Sequence, residues 1–317
     1  MPAFAGSFAK LRLMPRPRPS FYVAPWVRCL QCQAPIRIVD HQLPDFFEGR
    51  PISCPECQAS LDWWATLLRE IRENFMLNQA FAPIGARLAI FPITLNLGQR
   101  THYKLSDYGV PADAKVLWVN YTPNAPVLPA ELPSGNMSTV RPNRHEVTVW
   151  PVPWENQTVS GPVNVDVFVC WVPHSLLDAS WTNLVTAFEA YGSGDYSAAI
   201  VPANVAVESA LSVFLFGYLA SHNIANTNIK PFLDDGATYG HQLNVLLPLV
   251  ADWAHVPRLH DHIRGSLNRL RGLRNDIAHR GKPEVPLTQA DTAEVLCAAF
   301  FGFRYIGFVQ SRLQASP

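Results

Sequence analysis

This chain of 317 residues carries no net charge: 25 Lys and Arg balance 25 Asp and Glu, and only 16% of its residues are charged. That balance excludes a global basic field of the kind that coats duplex DNA or holds a protein to a membrane surface, so any nucleic-acid contact has to be local. No run of eighteen apolar residues occurs. The best candidates, residues 209–220 and 295–303, are short and stand beside Glu208 and Arg304, which suits buried helices rather than membrane spans. The opening stretch, MPAFAGSFAKLRLMPRPRPS, is positive but has no continuous apolar core and no small-residue cleavage site after one, so it does not read as a secretory signal. The expectation is a cytoplasmic protein with no membrane partner. Cysteine is scarce too, six in all, and in a reducing compartment those thiols point to metal binding or core packing rather than disulfides.

Four of the six form a pattern. CLQC at 29–32 and CPEC at 54–57 are two CxxC pairs with twenty-one residues between them. A CxxC turn places two thiolates at adjacent corners of a tetrahedron, and two such turns close a four-sulfur shell around Zn²⁺. The array resembles a zinc ribbon with Cys29, Cys32, Cys54 and Cys57 as ligands. With all four corners filled by sulfur, no position is left for a substrate, so the zinc is expected to be structural. His41 lies between the pairs as an alternative ligand, although a loop histidine is the simpler reading. Cys170 and Cys297 read as small core hydrophobes.

The chain around this array changes texture three times, which predicts a multidomain α+β protein. A basic Pro-rich tail covers 1–24, the zinc ribbon 25–60 and a linker helix 61–81, the last with helical spacing at Leu61, Trp64, Leu68, Ile71 and Phe75. Residues 82–174 turn to prolines and short β-rich runs such as RLAIFPITLNL and VNVDVFVCWV. In the latter, Val165, Val167, Val169 and Trp171 alternate with Asp166, Phe168 and Cys170. Such runs between Pro, Gly and Asn turns predict an antiparallel sandwich-like domain, with no catalytic constellation and so a scaffold or recognition role.

From 175 to 317 the pattern is helical throughout, an all-α bundle. The GSGD break after the first helix follows a helix rather than a strand and lacks a third glycine, so it is a helix break rather than a phosphate loop, with Asp195 placed to cap the next helix. Three further helices are expected near 237–253, 258–279 and 289–313. In the middle one of these, Leu259, Ile263, Leu267, Leu270, Leu273 and Ile277 recur as an amphipathic stripe. Arg274 falls on or beside that stripe, where an unpaired guanidinium is costly unless it faces a cleft, a partner or an anion. Asn275 and His279 stand four apart on a neighbouring face. On an ideal helix, Arg274 and His279 are about 140° apart. They converge only if the terminal turn bends before Gly281 and Pro283, or if two chains pair about a two-fold axis. Residues 258–282 hold seven Arg or Lys against two Asp, a local positive stripe of the kind phosphate binding needs, or, for Arg258, Arg264 and Arg269, a solvated face. The HDH at 260–262 points its rings apart and reads as surface.

RNDIAH, residues 274–279, resembles the R-N-x-x-x-H signature of the HEPN superfamily, and GDYSAAIVPANVAVESAL is similar to the first helical hairpin of such domains, with Tyr196, Ala199 and Glu208 in matching places. The resemblance covers residues 175–313 and leaves the ribbon and β-rich region outside it. It implies metal-independent cleavage of single-stranded RNA or tRNA by a homodimer or higher oligomer formed through the C-terminal helical domain, in a toxin or anti-phage defence setting. It further implies His279 as proton-transfer group, Arg274 as stabiliser of the phosphorane, and Asn275 as positioner. Glu208 is either a supporting site residue or a structural partner for Arg274. These residue types suit the chemistry, because imidazole titrates near neutrality and a guanidinium forks onto phosphate oxygens. The N-terminal modules would then bind a nucleic acid, a protein partner or a trigger. The alternative is a non-catalytic HEPN-like binding or assembly module in a nucleic-acid-associated complex.

Overall fold

The computed structural model describes residues 20–22, 26–37, 42–73, 84–132, 145–155, 157–174 and 179–315. Most of the basic tail, His41 and the expected helix end at 74–81 lie outside the described residues. The chain forms two compact units, one of Met1–Tyr22, Ala89–Ala112 and Trp118–Val169, the other of Val23–Leu88, Asp113–Leu117 and Cys170–Pro317.

In chain order the first elements are β1 (Ser20–Tyr22), β2 (Trp26–Arg28), β3 (Pro35–Arg37), α1 (Gln42–Phe47) and α2 (Trp63–Glu73). β2 and β3 pair antiparallel, Arg28 opposite Pro35. The side chain of Asp62 caps α2 by accepting from the Ala65 amide at 3.0 Å. The buried face of α2 is Trp63, Thr66, Leu67, Glu70 and Ile71; Ile71 is buried as expected, while Trp63 and Leu67 take the places expected of Trp64 and Leu68. The reason lies in Glu70. It is fully buried, accepts from the Arg28 amide at 2.9 Å and lies 3.0 Å from the Arg69 guanidinium, which itself donates to the Arg28 carbonyl. A carboxylate drawn inward by these donors turns the helix, and Trp64 moves to the rim.

The β-rich unit is built from β4 (Arg87–Leu95), β5 (Thr101–Lys104), a 3-10 turn at Leu105–Tyr108, β6 (Lys115–Pro123), β7 (Val127–Leu132), β8 (Glu146–Pro153) and β9 (Val163–Val172). One sheet has the order β1-β4-β9-β6, and a second, antiparallel one has the order β5-β8-β7. Ala89, Phe91, Ile93 and Leu95 of β4 are buried, as are Val163, Val165, Val167 and Val169 of β9, giving the two-residue period of a half-covered sheet. From Cys170 onward both faces of β9 are closed, so the alternation expected there ends. Phe91 of the first sheet stacks on Tyr108 at 4.0 Å and meets Tyr103 of the second edge-on, so the two sheets share an aromatic core.

The helical part contains α3 (Ala179–Gly192), α4 (Tyr196–Ser221), α5 (Asn226–Pro231), a π turn at Phe232–Gly236, α6 (Tyr239–His241), a second π turn at Gln242–Leu246, α7 (Leu247–Trp253), α8 (Asp261–Arg280) and α9 (Gln289–Ala315). Asp195 caps α4 by accepting from the Ala198 amide at 3.0 Å, after a break at Gly194 with φ +79°. Two helices, α4 and α9, are long and apolar enough to cross a membrane; the most apolar window is 78% buried in α9 and 50% in α4. α9 forms the centre. A Cβ on its Gly302 would sit 2.8 Å from Leu267 of α8, so these helices approach at glycine distance. The ribbon packs on the same helix, with Phe47 against Phe301, Tyr305 and Phe308. The Tyr191 hydroxyl donates to the Ile71 carbonyl at 2.8 Å, and the Gln289 side chain donates to that of Arg72 at 2.7 Å. Ribbon and helices therefore form one body.

Candidate functional site

Each CxxC turn ends in a glutamine held at positive φ, Gln33 at +60° and Gln58 at +59°. This left-handed residue reverses the chain so that its own amide reaches back to the first cysteine's carbonyl: Gln33 N to Cys29 O at 3.2 Å, Gln58 N to Cys54 O at 2.9 Å. The first cysteine's amide donates in turn to an alanine carbonyl, Ala34 or Ala59, at 2.9 Å in both loops. Each glutamine side chain also donates within its turn, to Leu30 O at 3.3 Å and Pro55 O at 3.0 Å. The two loops are thus copies, C-x-x-C-Q-A, and the repeated Gln-Ala was the available sequence signal for these turn-forming residues.

All four Sγ atoms lie within 4.8 Å of one another, with Cys29 to Cys57 and Cys32 to Cys54 both at 3.8 Å. A tetrahedral shell with Zn–S near 2.3 Å has edges of about 3.8 Å, so these two separations already have the length the ion requires. Without an ion, the amides of Cys32 and Gln31 pull the Cys29 thiol down to about 6, while, against the Ala34 amide, burial and the three neighbouring thiols push Cys32 up to about 12. Cys29, Cys32, Cys54 and Cys57 form a structural zinc site with no open coordination position. Cys170 and Cys297 are fully buried, and burial pushes their thiols up, as for core side chains.

The second group is on α8. The helix begins at Asp261, so Leu259 precedes it, and Ile263, Leu267 and Leu270 are buried while Leu273 and Ile277 are half-buried. The stripe leaves the core one turn before it ends. Arg274 stands at that edge, its side chain 38% exposed, 3.1 Å from the Asn275 amide oxygen and 4.0 Å from a Glu208 carboxylate oxygen. Glu208 is fixed on α4 by the side chain of Asn204, which donates to it at 2.9 Å. The structure therefore brings Arg274, Asn275 and Glu208 together. His279 is exposed in the last turn of α8, which stays α-helical through Arg280 and stops at Gly281 with φ +72°. No terminal bend carries His279 toward Arg274 within one chain.

Around this group the charge is distributed unevenly. Arg258 pairs with Asp252, Arg264 with Asp261, Arg269 with Asp291 and Glu294, and Arg280 with Glu284. His260 and His262 pack instead on Phe46 and Trp64, at 5.2 and 4.9 Å between rings. Comparison of the chain with protein-family models, with curated proteins and with solved structures gives no match.

Proposed function

We propose that the C-terminal helices act as a metal-independent endoribonuclease of HEPN type on single-stranded RNA or tRNA, in a toxin or anti-phage defence role, with the zinc ribbon and β-rich unit serving partner or trigger recognition. The observation that carries this reading is the Arg274–Asn275–Glu208 group at the open edge of α8, with His279 exposed one turn further on. At 4.0 Å the Arg274–Glu208 contact is at the outer limit of an ion pair, so the guanidinium keeps donors for phosphate oxygens. Because α8 is regular, Arg274 and His279 of one chain stay about 140° apart. A complete site thus needs two helices facing across a two-fold axis, and the working form is a homodimer. In that cleft His279 moves protons between the ribose 2′-hydroxyl and the leaving 5′-oxygen. Arg274 holds the charge growing on the phosphorane, and Asn275 positions the arginine or the phosphate.

The competing reading is a binding or assembly module. It is favoured by the carboxylates that already neutralise Arg258, Arg264, Arg269 and Arg280. Cleavage decides between the two. In EDTA the full-length protein should cut single-stranded RNA to 2′,3′-cyclic phosphate and 5′-hydroxyl ends and spare DNA, and His279→Ala should lose activity by about 10² to 10⁴ while keeping its fold. An intact wild-type dimer that leaves RNA uncut beside its partners, or a clean monomer that cuts at full rate, refutes the shared-cleft nuclease.

A further inference from the structure

The geometry points to Arg271 as a second phosphate-binding residue of this site, one that holds the phosphate neighbouring the scissile one; the identity of the ligand as an RNA strand rests on the ribonuclease reading. Seven cations occupy residues 258–282, and the structure sorts them. Four are engaged by carboxylates and Arg274 stands 4.0 Å from Glu208. Lys282 is exposed beyond the helix end. Arg271 alone is half-buried on α8 with no carboxylate partner among the described residues.

Arg271 reaches from α8 to the segment that holds Gly240. Its guanidinium lies on the backbone of Gly240, where an added Cβ would stand 1.7 Å from Nη1 and 2.9 Å from Cζ. A side chain at 240 would push the flexible end of Arg271 out of this position. Beside it Tyr239 is 6% exposed, and its hydroxyl has no hydrogen-bond partner among the described residues. Burial raises the pKa of that hydroxyl, with the field of Glu208 adding and that of Arg271 opposing, so the phenol stays a neutral donor beside the cation. A half-buried guanidinium without counter-charge is costly, and a bound anion removes that cost. Arg271 and Arg274 are three residues apart, hence neighbours on one helix face, and each presents a fork suited to a phosphate. Two adjacent forks match two adjacent phosphates of one strand.

The test separates this subsite from catalysis by using a 2′-O-methylated single-stranded RNA, which binds but has no 2′-hydroxyl to attack. Binding to the full-length protein is measured across salt concentrations. Arg271→Gln should weaken binding about 10- to 100-fold and lower the slope of log K against log salt by about 0.7, the loss of one phosphate contact on a single strand. Gly240→Ala keeps every charge and displaces the guanidinium, and should show the same slope change, with circular dichroism and melting confirming the fold. Arg269→Gln removes an equal charge that is already paired and should leave the slope unchanged. Equal slopes for wild type and Arg271→Gln, or equal losses for Arg271→Gln and Arg269→Gln, overturn the subsite. Binding with the predicted slopes but no cutting of ordinary RNA sinks the nuclease reading and leaves the subsite standing. A wild type that binds no RNA overturns both.

Discussion

Replacing Cys54 by serine tests the zinc centre at its most buried corner. Cys54 and Cys29 are fully buried while Cys32 and Cys57 are exposed, so serine at 54 cannot be compensated from solvent. The four sulfurs stand within 4.8 Å, a spacing that four unbonded thiolates would not keep without a cation between them. The loop they hold has little else to close it. β2 and β3 are three residues each, and the inward side chains are chiefly Val27, Ile36, Leu43, Phe47 and Ile52. Structural zinc contributes about 10 to 16 kcal/mol in modules of this kind, as much as the whole stability of an ordinary domain. Loss of one ligand should therefore release residues 26–37 and 52–61 from hydrogen-exchange protection while α4, packed on α3, α8 and α9, keeps its own. Elemental analysis of the wild type should give one zinc per chain, and of Cys54→Ser, none. Fresh wild type without zinc, or a variant with the ribbon amides still protected, would refute the reasoning. A mass two hydrogens lower would reveal a disulfide instead, which the 3.8 Å sulfur separations exclude for the folded reduced chain.

Two further outcomes follow from the fold. Glu70→Ala leaves the Arg28 amide without its acceptor and removes the counter-charge of Arg69, which keeps only the Arg28 carbonyl, and should cost about 3 to 5 kcal/mol; Glu70→Gln, which keeps an acceptor, should cost less, and equal melting temperatures for the two would contradict the role of the buried carboxylate in joining β2 to α2. Asp291 is held down to about 2 by hydrogen bonds from Thr288 first and Arg269 second. Its folded value lies below the unfolded value near 3.9, so its contribution is complete above about pH 4 and fades as the pH falls toward 2. Asp291→Asn should flatten that acid limb of a melting-temperature profile, and an unchanged limb would mean that the Thr288 and Arg269 bonds to Asp291 contribute nothing.

The parts of the fold that could be read from sequence are those where one local rule decides. Two CxxC pairs fix a metal shell because tetrahedral geometry accepts few spacings, and Asp195 after a glycine break fixes a helix start. The buried face of α2 was legible only in part, at Ile71 and at Leu61 just before the helix but not at Trp63 and Leu67, since Glu70 is drawn inward by the backbone of Arg28, 42 residues away. Nor were α5 and the π turns around it: Asn226–Pro231 is a single short helix whose Pro231 would ordinarily end it, and it continues only by widening into Phe232–Gly236.

The same distinction governs the candidate site. A count of charges along residues 258–282 gives a positive stripe, yet which of those charges can meet a phosphate is decided by carboxylates elsewhere in the chain, Asp252 before the helix and Asp291 and Glu294 on α9. Periodicity placed Arg274 at the apolar edge but could not show that the stripe opens there, because the partial cover of Leu273 and Ile277 depends on residues distant in the chain. Arg271 drew no notice in the sequence for the same reason: the residue that seats it, Gly240, is 31 positions away and has no chemistry of its own. A positive helix in a neutral protein is therefore weak evidence for nucleic-acid binding until its ion pairs are removed from the count. Here that removal leaves Arg271 and Arg274, the latter 4.0 Å from Glu208, on one face of α8 beside Asn275, with Lys282 beyond the helix end.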